Sequence, residues 1–231
     1  MIITIIIMIA KKKGFLEVLF PFNNIVNNLI YLDIKYKYYK INIPPNLFEN
    51  INKFKSLRYL FIENFNFKED FILKLNELKL LSIRSCQNIK LYENFNDKLK
   101  DLNFISNEIS DIKMLEKVNF EGLEKLNLSS NEISDINILE NLNIKRLKEL
   151  DLSRNKISDN KILGKIFFKG LKKLNLSRNK IADINIFERV YFEGLNLLNL
   201  SSNEISDINI NIFDFGIMEF FTILEKVSLK N

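Results

Sequence analysis

Between Leu99 and Ile205 the apolar residues recur in one fixed order, L-x-x-L-x-L, then a two-residue spacer, an asparagine and, two positions on, an isoleucine. The copies read Leu99-Leu102-Phe104-Asn107-Ile109, Leu123-Leu126-Leu128-Asn131-Ile133, Leu147-Leu150-Leu152-Asn155-Ile157, Leu171-Leu174-Leu176-Asn179-Ile181 and Leu195-Leu198-Leu200-Asn203-Ile205, each 24 residues after the last. Alternation in the L-x-L step sends both leucines to one face, which predicts a short strand per unit. After the isoleucine, apolar residues fall three or four apart: Ile112, Leu115 and Val118; Ile136, Leu139 and Leu142; Ile184, Phe187 and Val190. That spacing predicts a short helix. Asp111, Asp135, Asp183 and Asp207 precede these runs, where a carboxylate caps a helix start. Asn160 stands where other units have Ile136 and Ile184, which predicts a looser turn there.

One such unit cannot bury its leucines alone. Stacked in register, each unit covers its neighbour, giving a parallel sheet with a continuous core behind it. Asn107, Asn131, Asn155, Asn179 and Asn203 leave the strands at equivalent places, where an amide can both donate to and accept from adjoining coils. They read as a structural ladder, and the aspartates, recurring once per coil, as caps and not as a metal or catalytic site.

The pattern LxxLxLSxNxIxDI resembles the leucine-rich repeats of protein phosphatase 1 regulatory subunits and is similar to those of bacterial internalins. The 24-residue unit is longer than those groups favour, within the roughly 20–29 residues of the wider class. The match is strong from Leu99 to Ile208 and weak over most of the rest. It implies an α/β fold: a solenoid with a curved parallel sheet on its concave face and short helices and turns on its convex face. It also implies protein partners, but not phosphatase binding, because the matching residues are scaffold.

Outside this block the repeat degrades. Leu29-Leu32-Ile34, Leu57-Leu60-Ile62 and Leu78-Leu81-Ile83 fit the strand template at uneven steps, with Phe65 and Cys86 in the ladder position. Residues 1–28 read as a cap or first degenerate coil, 29–98 as irregular repeats, 99–208 as regular ones and 209–231 as a last, uncapped coil. Leu224-Val227-Leu229 supplies a final strand, which reads as an open edge able to pair with another chain. The run from Met1 to Ala10 is too short to span a bilayer, and its lysines follow it instead of preceding it. An N-terminal strand is the preferred reading; an uncleaved anchor or atypical signal is the alternative.

Composition narrows the function classes. The sequence has no histidine, which excludes Ser-His-Asp and Cys-His arrangements and the usual zinc ligand sets. With one cysteine, Cys86, no internal disulfide forms, which favours a reducing compartment and a cytoplasmic location. The net charge of +5 is dispersed along the chain, a weak nucleic-acid signal. No catalytic residue, cofactor or metal site is expected.

What remains is a binding surface. Residues between the leucines point out of the sheet and stack into columns across strands. Asp101, Lys125, Glu149 and Lys173 alternate in sign, which reads as cross-strand pairing. Arg154 and Arg178, with Lys148, Lys172 and Lys173, form a locally positive area suited to acidic side chains. In the irregular half the columns hold Tyr31, Tyr59, Phe61, Glu63 and Arg84, the residue types of interface hot spots. A one-residue register error would instead turn Phe61 and Leu80 into the core. The expectation is a non-enzymatic intracellular adaptor with a protein partner on its concave face; the alternative is a secreted or surface-exposed adhesin or effector using the same face.

Overall fold

A computed structural model describes residues 3–9, 28–36, 41–42, 51–67, 75–89, 98–116, 118–165, 170–183 and 194–206. Eleven strands are described: β1 (Ile3–Ile9), β2 (Leu29–Tyr36), β3 (Ile41–Asn42), β4 (Tyr59–Glu63), β5 (Phe65–Asn66), β6 (Leu80–Arg84), β7 (Asp101–Asn103), β8 (Lys125–Asn127), β9 (Glu149–Asp151), β10 (Lys173–Asn175) and β11 (Leu197–Asn199). Nine of them form one sheet in the order β1-β2-β4-β6-β7-β8-β9-β10-β11, and the neighbours pair in parallel. Strands β3 and β5 form a second, two-stranded parallel sheet. This is the stacked architecture that the leucine pattern dictates: neighbours in space are neighbours in sequence, one coil apart.

Register follows the core. Leu102, Leu126, Leu150, Leu174 and Leu198 are aligned across β7 to β11 and all are buried. Behind them lie Leu99, Phe104, Leu123, Leu128, Leu147, Leu152, Leu171 and Leu176, joined by Ile109, Ile133, Ile157 and Ile181 in a single apolar cluster. In the irregular half Leu32, Ile34, Leu60, Ile62, Leu81 and Ile83 are buried, while Phe61 and Leu80 are only half-buried. The register is therefore the one that faces Phe61 and Leu80 outward. The apolar N-terminal run enters as β1, which pairs with β2.

The asparagines form the expected ladder. Asn131 accepts the N–H groups of Asn107 (2.9 Å) and Ile109 (3.0 Å), and its amide donates to the carbonyls of Phe104 and Leu128. Asn155, Asn179 and Asn203 repeat the arrangement one coil at a time. Every bond satisfies a backbone group that the turn would otherwise leave unpaired. Where the asparagine is missing, Cys86 substitutes. Its N–H donates to Asn107 at 2.8 Å, and its sulfur accepts the N–H of Phe65 at 3.4 Å. Phe65 itself is buried in β5.

The convex side carries the expected short helices and turns, and the helices are of the 3₁₀ type. Lys113–Leu115, Asn137–Asn141 and Lys161–Gly164 are 3₁₀ turns of three to five residues. A 24-residue coil that spends so many residues on strand and ladder leaves room for one tight turn only, and short pieces are where the 3₁₀ helix is used. Asp111 and Asp135 do bind the turn starts, accepting the N–H of Lys113 and Asn137 at 2.8 Å. They act one residue before the cap position, as Asx turns. Asp159 does the same for Lys161. Asn160 does not loosen its coil: it is buried, its amide donates 3.0 Å to the Asp183 carbonyl of the next coil, and Ile162 and Leu163 fill the core behind it. Ile184, Phe187, Val190, Asp207 and the final strand expected over Leu224–Leu229 lie outside the described residues.

Candidate protein-binding face

Parallel pairing with no slip between β2 and β11 turns the outward positions of successive strands into columns. One column runs Tyr31, Tyr59, Leu80, Asp101, Lys125, Glu149, Lys173 and Leu197. The next runs Asp33, Phe61, Ser82, Asn103, Asn127, Asp151, Asn175 and Asn199. Along both, the chemistry changes from aromatic to charged and amide as the repeat becomes regular.

In the regular half the columns are largely self-satisfied. Lys125 and Lys173 both reach Glu149, at 3.2 and 3.5 Å. Asp101 is half-buried, and burial pushes its carboxyl above the ordinary range while Lys125 and Glu149 pull in opposite directions. The uniform Asn/Asp column has a local purpose that its uniformity alone does not reveal: each side chain accepts the N–H two residues on, from Ile105, Ser129, Ser153, Ser177 and Ser201. These bonds end each strand and start the turn. Together the columns line a shallow cavity of about 300 Å³ between Asp101 and Leu197, the latter 42% exposed.

The expected positive area is divided. Lys148 precedes β9 and pairs with Glu124 at 2.6 Å, and Lys173 is held by Glu149. Arg154 and Arg178 sit beyond the other end of their strands, exposed, on adjacent coils and without an ion pair among the described residues. Both adopt left-handed backbone, φ 55° and 56°, where the equivalent residues Ser106, Ser130 and Ser202 do the same.

The irregular half brings the other candidates together. The rings of Tyr31 and Phe61 are 5.0 Å apart between centroids and those of Tyr31 and Tyr59 6.4 Å, all tilted. Tyr59 is 36% exposed. Beside them Glu63 lies 3.7 Å from Lys35 and 4.0 Å from Arg84, so the aromatic run has a charged border. Two residues of this patch escaped selection from sequence, Asp33 and Lys35. Asp33 points outward in its strand yet is buried, and it meets Lys35 at 3.2 Å. That hydrogen bond raises the Lys35 ammonium above its ordinary range against a smaller opposing effect of burial. The signal available in the sequence was the column that Asp33 shares with Phe61 and the one that Lys35 shares with Glu63.

Two family models match the sequence, leucine-rich repeats in two copies over residues 145–189 and a single leucine-rich repeat over residues 123–136. A comparison with curated proteins finds no match. Among solved structures, an internalin (inlF) from Listeria monocytogenes is 20% identical, with a TM-score of 0.53, over 90% of this chain and 67% of that one. A Leptospira interrogans leucine-rich repeat protein is 23% identical, with a TM-score of 0.56, over 82% of this chain and 53% of that one. A plant peptide hormone receptor, RGFR1, solved in complex with RGF2, is 22% identical, with a TM-score of 0.55, over 78% of this chain and 29% of that one. At these identities the likeness is one of fold, and this chain spans about half or less of the last two. With the 24-residue period and the asparagine ladder beside these matches, the chain carries leucine-rich repeats and has a leucine-rich repeat fold similar to that of the bacterial internalins.

Proposed function

We propose that this chain is a non-enzymatic protein-binding scaffold, an adaptor that holds a partner against its concave face. The observation that carries the reading is the outward run of Tyr31, Phe61, Tyr59 and Leu80 on three adjacent strands, bordered by Lys35, Glu63 and Arg84. Large rings held in place by a sheet present apolar area at little entropic cost, and such residues dominate binding energy at interfaces. Arg154 and Arg178 favour acidic side chains on the part of the partner that faces the regular coils. The cytoplasm is the proposed location; a surface-exposed adhesin would use the same face, and fractionation of the native cell separates the two.

Affinity capture from that cell tests the reading. The unaltered chain is compared with Tyr59→Ala/Phe61→Ala and with Arg154→Glu/Arg178→Glu, with circular dichroism confirming that each variant folds. Loss of a partner with the aromatic pair supports the N-terminal site, and loss with the arginine pair moves the site to the regular half. A partner retained by both variants removes the concave face from consideration.

A further inference from the structure

We propose that the N-terminal concave patch is built to take a cationic side chain, arginine or lysine, from the protein partner, with the Asp33 carboxylate as its anchor. The inference rests on the concave-face reading and names the chemistry of one contact within it.

Asp33 is the anomaly of the face. It occupies an outward position in β2, between buried Leu32 and Ile34, in register with Phe61 of β4. It is nevertheless only 5% exposed. Its Oδ2 meets Lys35, whereas its Oδ1 is buried and has no hydrogen-bond partner among the described residues. A buried carboxylate oxygen without a donor is a standing cost to the fold. A group kept at such a cost at the edge of an exposed aromatic run points to a donor that arrives from outside.

The molecule shows what the completed arrangement looks like. Glu124 lies between coils with Lys100 on one oxygen at 2.9 Å and Lys148 on the other at 2.6 Å. Glu149 also takes two lysines, Lys125 and Lys173, though both on Oε1, at 3.2 and 3.5 Å. Among the described residues, Asp33 has one lysine on Oδ2 and no donor on Oδ1. Phe61 is the cross-strand partner of Asp33, its ring lies 5.0 Å from that of Tyr31, and such rings offer faces on which a guanidinium stacks while it donates to a carboxylate. Entry requires Lys35, 45% exposed at its side chain, and the half-buried ring of Phe61 to swing aside. Both lie on the solvent side of the sheet, where side-chain rotation on binding is ordinary. Lys35 then moves toward Glu63, which it already approaches at 3.7 Å.

The test uses the full chain and a blocked tripeptide, N-acetyl-Gly-Arg-Gly-amide, followed by NMR chemical shifts, with citrulline and glutamate tripeptides as controls. The arginine peptide is expected to bind saturably, shifting Tyr31, Phe61 and the amides of β2 and β4, and the two controls are not. Asp33→Asn, which keeps the shape and removes the charge, should weaken the arginine peptide at least tenfold; Phe61→Leu, which keeps the carboxylate and removes the ring, should weaken it severalfold. Equal binding by the unaltered chain and either folded variant, or no saturable binding by the unaltered chain, overturns the proposal. Should a protein partner be lost with Tyr59→Ala/Phe61→Ala but not with Asp33→Asn, the concave-face reading stands and the cation subsite falls.

Discussion

The side-chain oxygen of Asn155 accepts the N–H of Ile133, 22 residues earlier in the chain, at 3.0 Å. The same amide donates to the carbonyls of Leu128 in the preceding coil and Leu152 in its own. One side chain thus ties two coils together and leaves none of these groups unbonded. Asn155→Ala is expected to cost about 1–3 kcal/mol, since it strands buried backbone groups. Chemical denaturation should show this as a lower midpoint. A midpoint within error of the unaltered protein would mean that water replaces the amide without loss.

Glu124 predicts a pH dependence. Hydrogen bonds from Lys148 and Lys100 hold its carboxyl at about 2, against an ordinary value of 4.5. A carboxyl depressed in the folded state contributes stability that is complete above its unfolded value and is lost as pH falls through the folded one. The contribution should therefore disappear between pH 4.5 and about 2. Because the bridge is at the surface, it is worth no more than about 1 kcal/mol and weakens with salt. Glu124→Gln should flatten the difference in urea midpoint between pH 6 and pH 3; an unchanged slope would assign that pH dependence to other carboxyls.

Register predicts a contrast between two adjacent residues. Ile62 is 1% exposed in the core, while Phe61 beside it faces the concave side half-buried. Ile62→Ala should cost about 2–5 kcal/mol through lost burial and a residual cavity. Phe61→Ala, despite removing the larger group, should cost only the cross-strand share, about 0.2–1 kcal/mol. A reversed order in thermal unfolding would mean that β4 is shifted by one residue.

How far the sequence shows this much is clear from particular residues. Leucines spaced 24 apart leave one way to stack, so the sheet, its order and the ladder from Asn107 to Asn203 were legible before any coordinates. The short convex helices were legible too, but their 3₁₀ type was not, because apolar spacing of three or four is shared by α and 3₁₀ helices. Only the length left in the coil decides between them. Asn160 was misread for a related reason: a polar residue in an apolar column looks like a defect until the Asp183 carbonyl it meets, 23 residues on, is known. Tyr31, Tyr59 and Phe61 were legible as a cluster once their two adjacent columns were written out. The burial of Asp33 was not, since alternation places it outward.

Arg154 and Arg178 separate stability from binding most directly. Both hold φ near +55°, a backbone region that costs a residue with a β-carbon roughly 1–2 kcal/mol, and they place on adjacent coils two exposed positive charges that have no ion pair among the described residues. Glycine adopts this conformation freely but loses about 0.5–1 kcal/mol more chain entropy on folding. The net expectation for Arg154→Gly is a gain of about 0.5–1 kcal/mol, and Arg178→Gly should add to it. The double variant should melt a few degrees higher than the unaltered protein by calorimetry. If the arginines face an acidic partner, the same variant captures less of it, and the loss grows smaller as salt rises. Higher stability with undiminished capture would make the two arginines incidental to binding and leave the aromatic patch of β2 and β4 as the site.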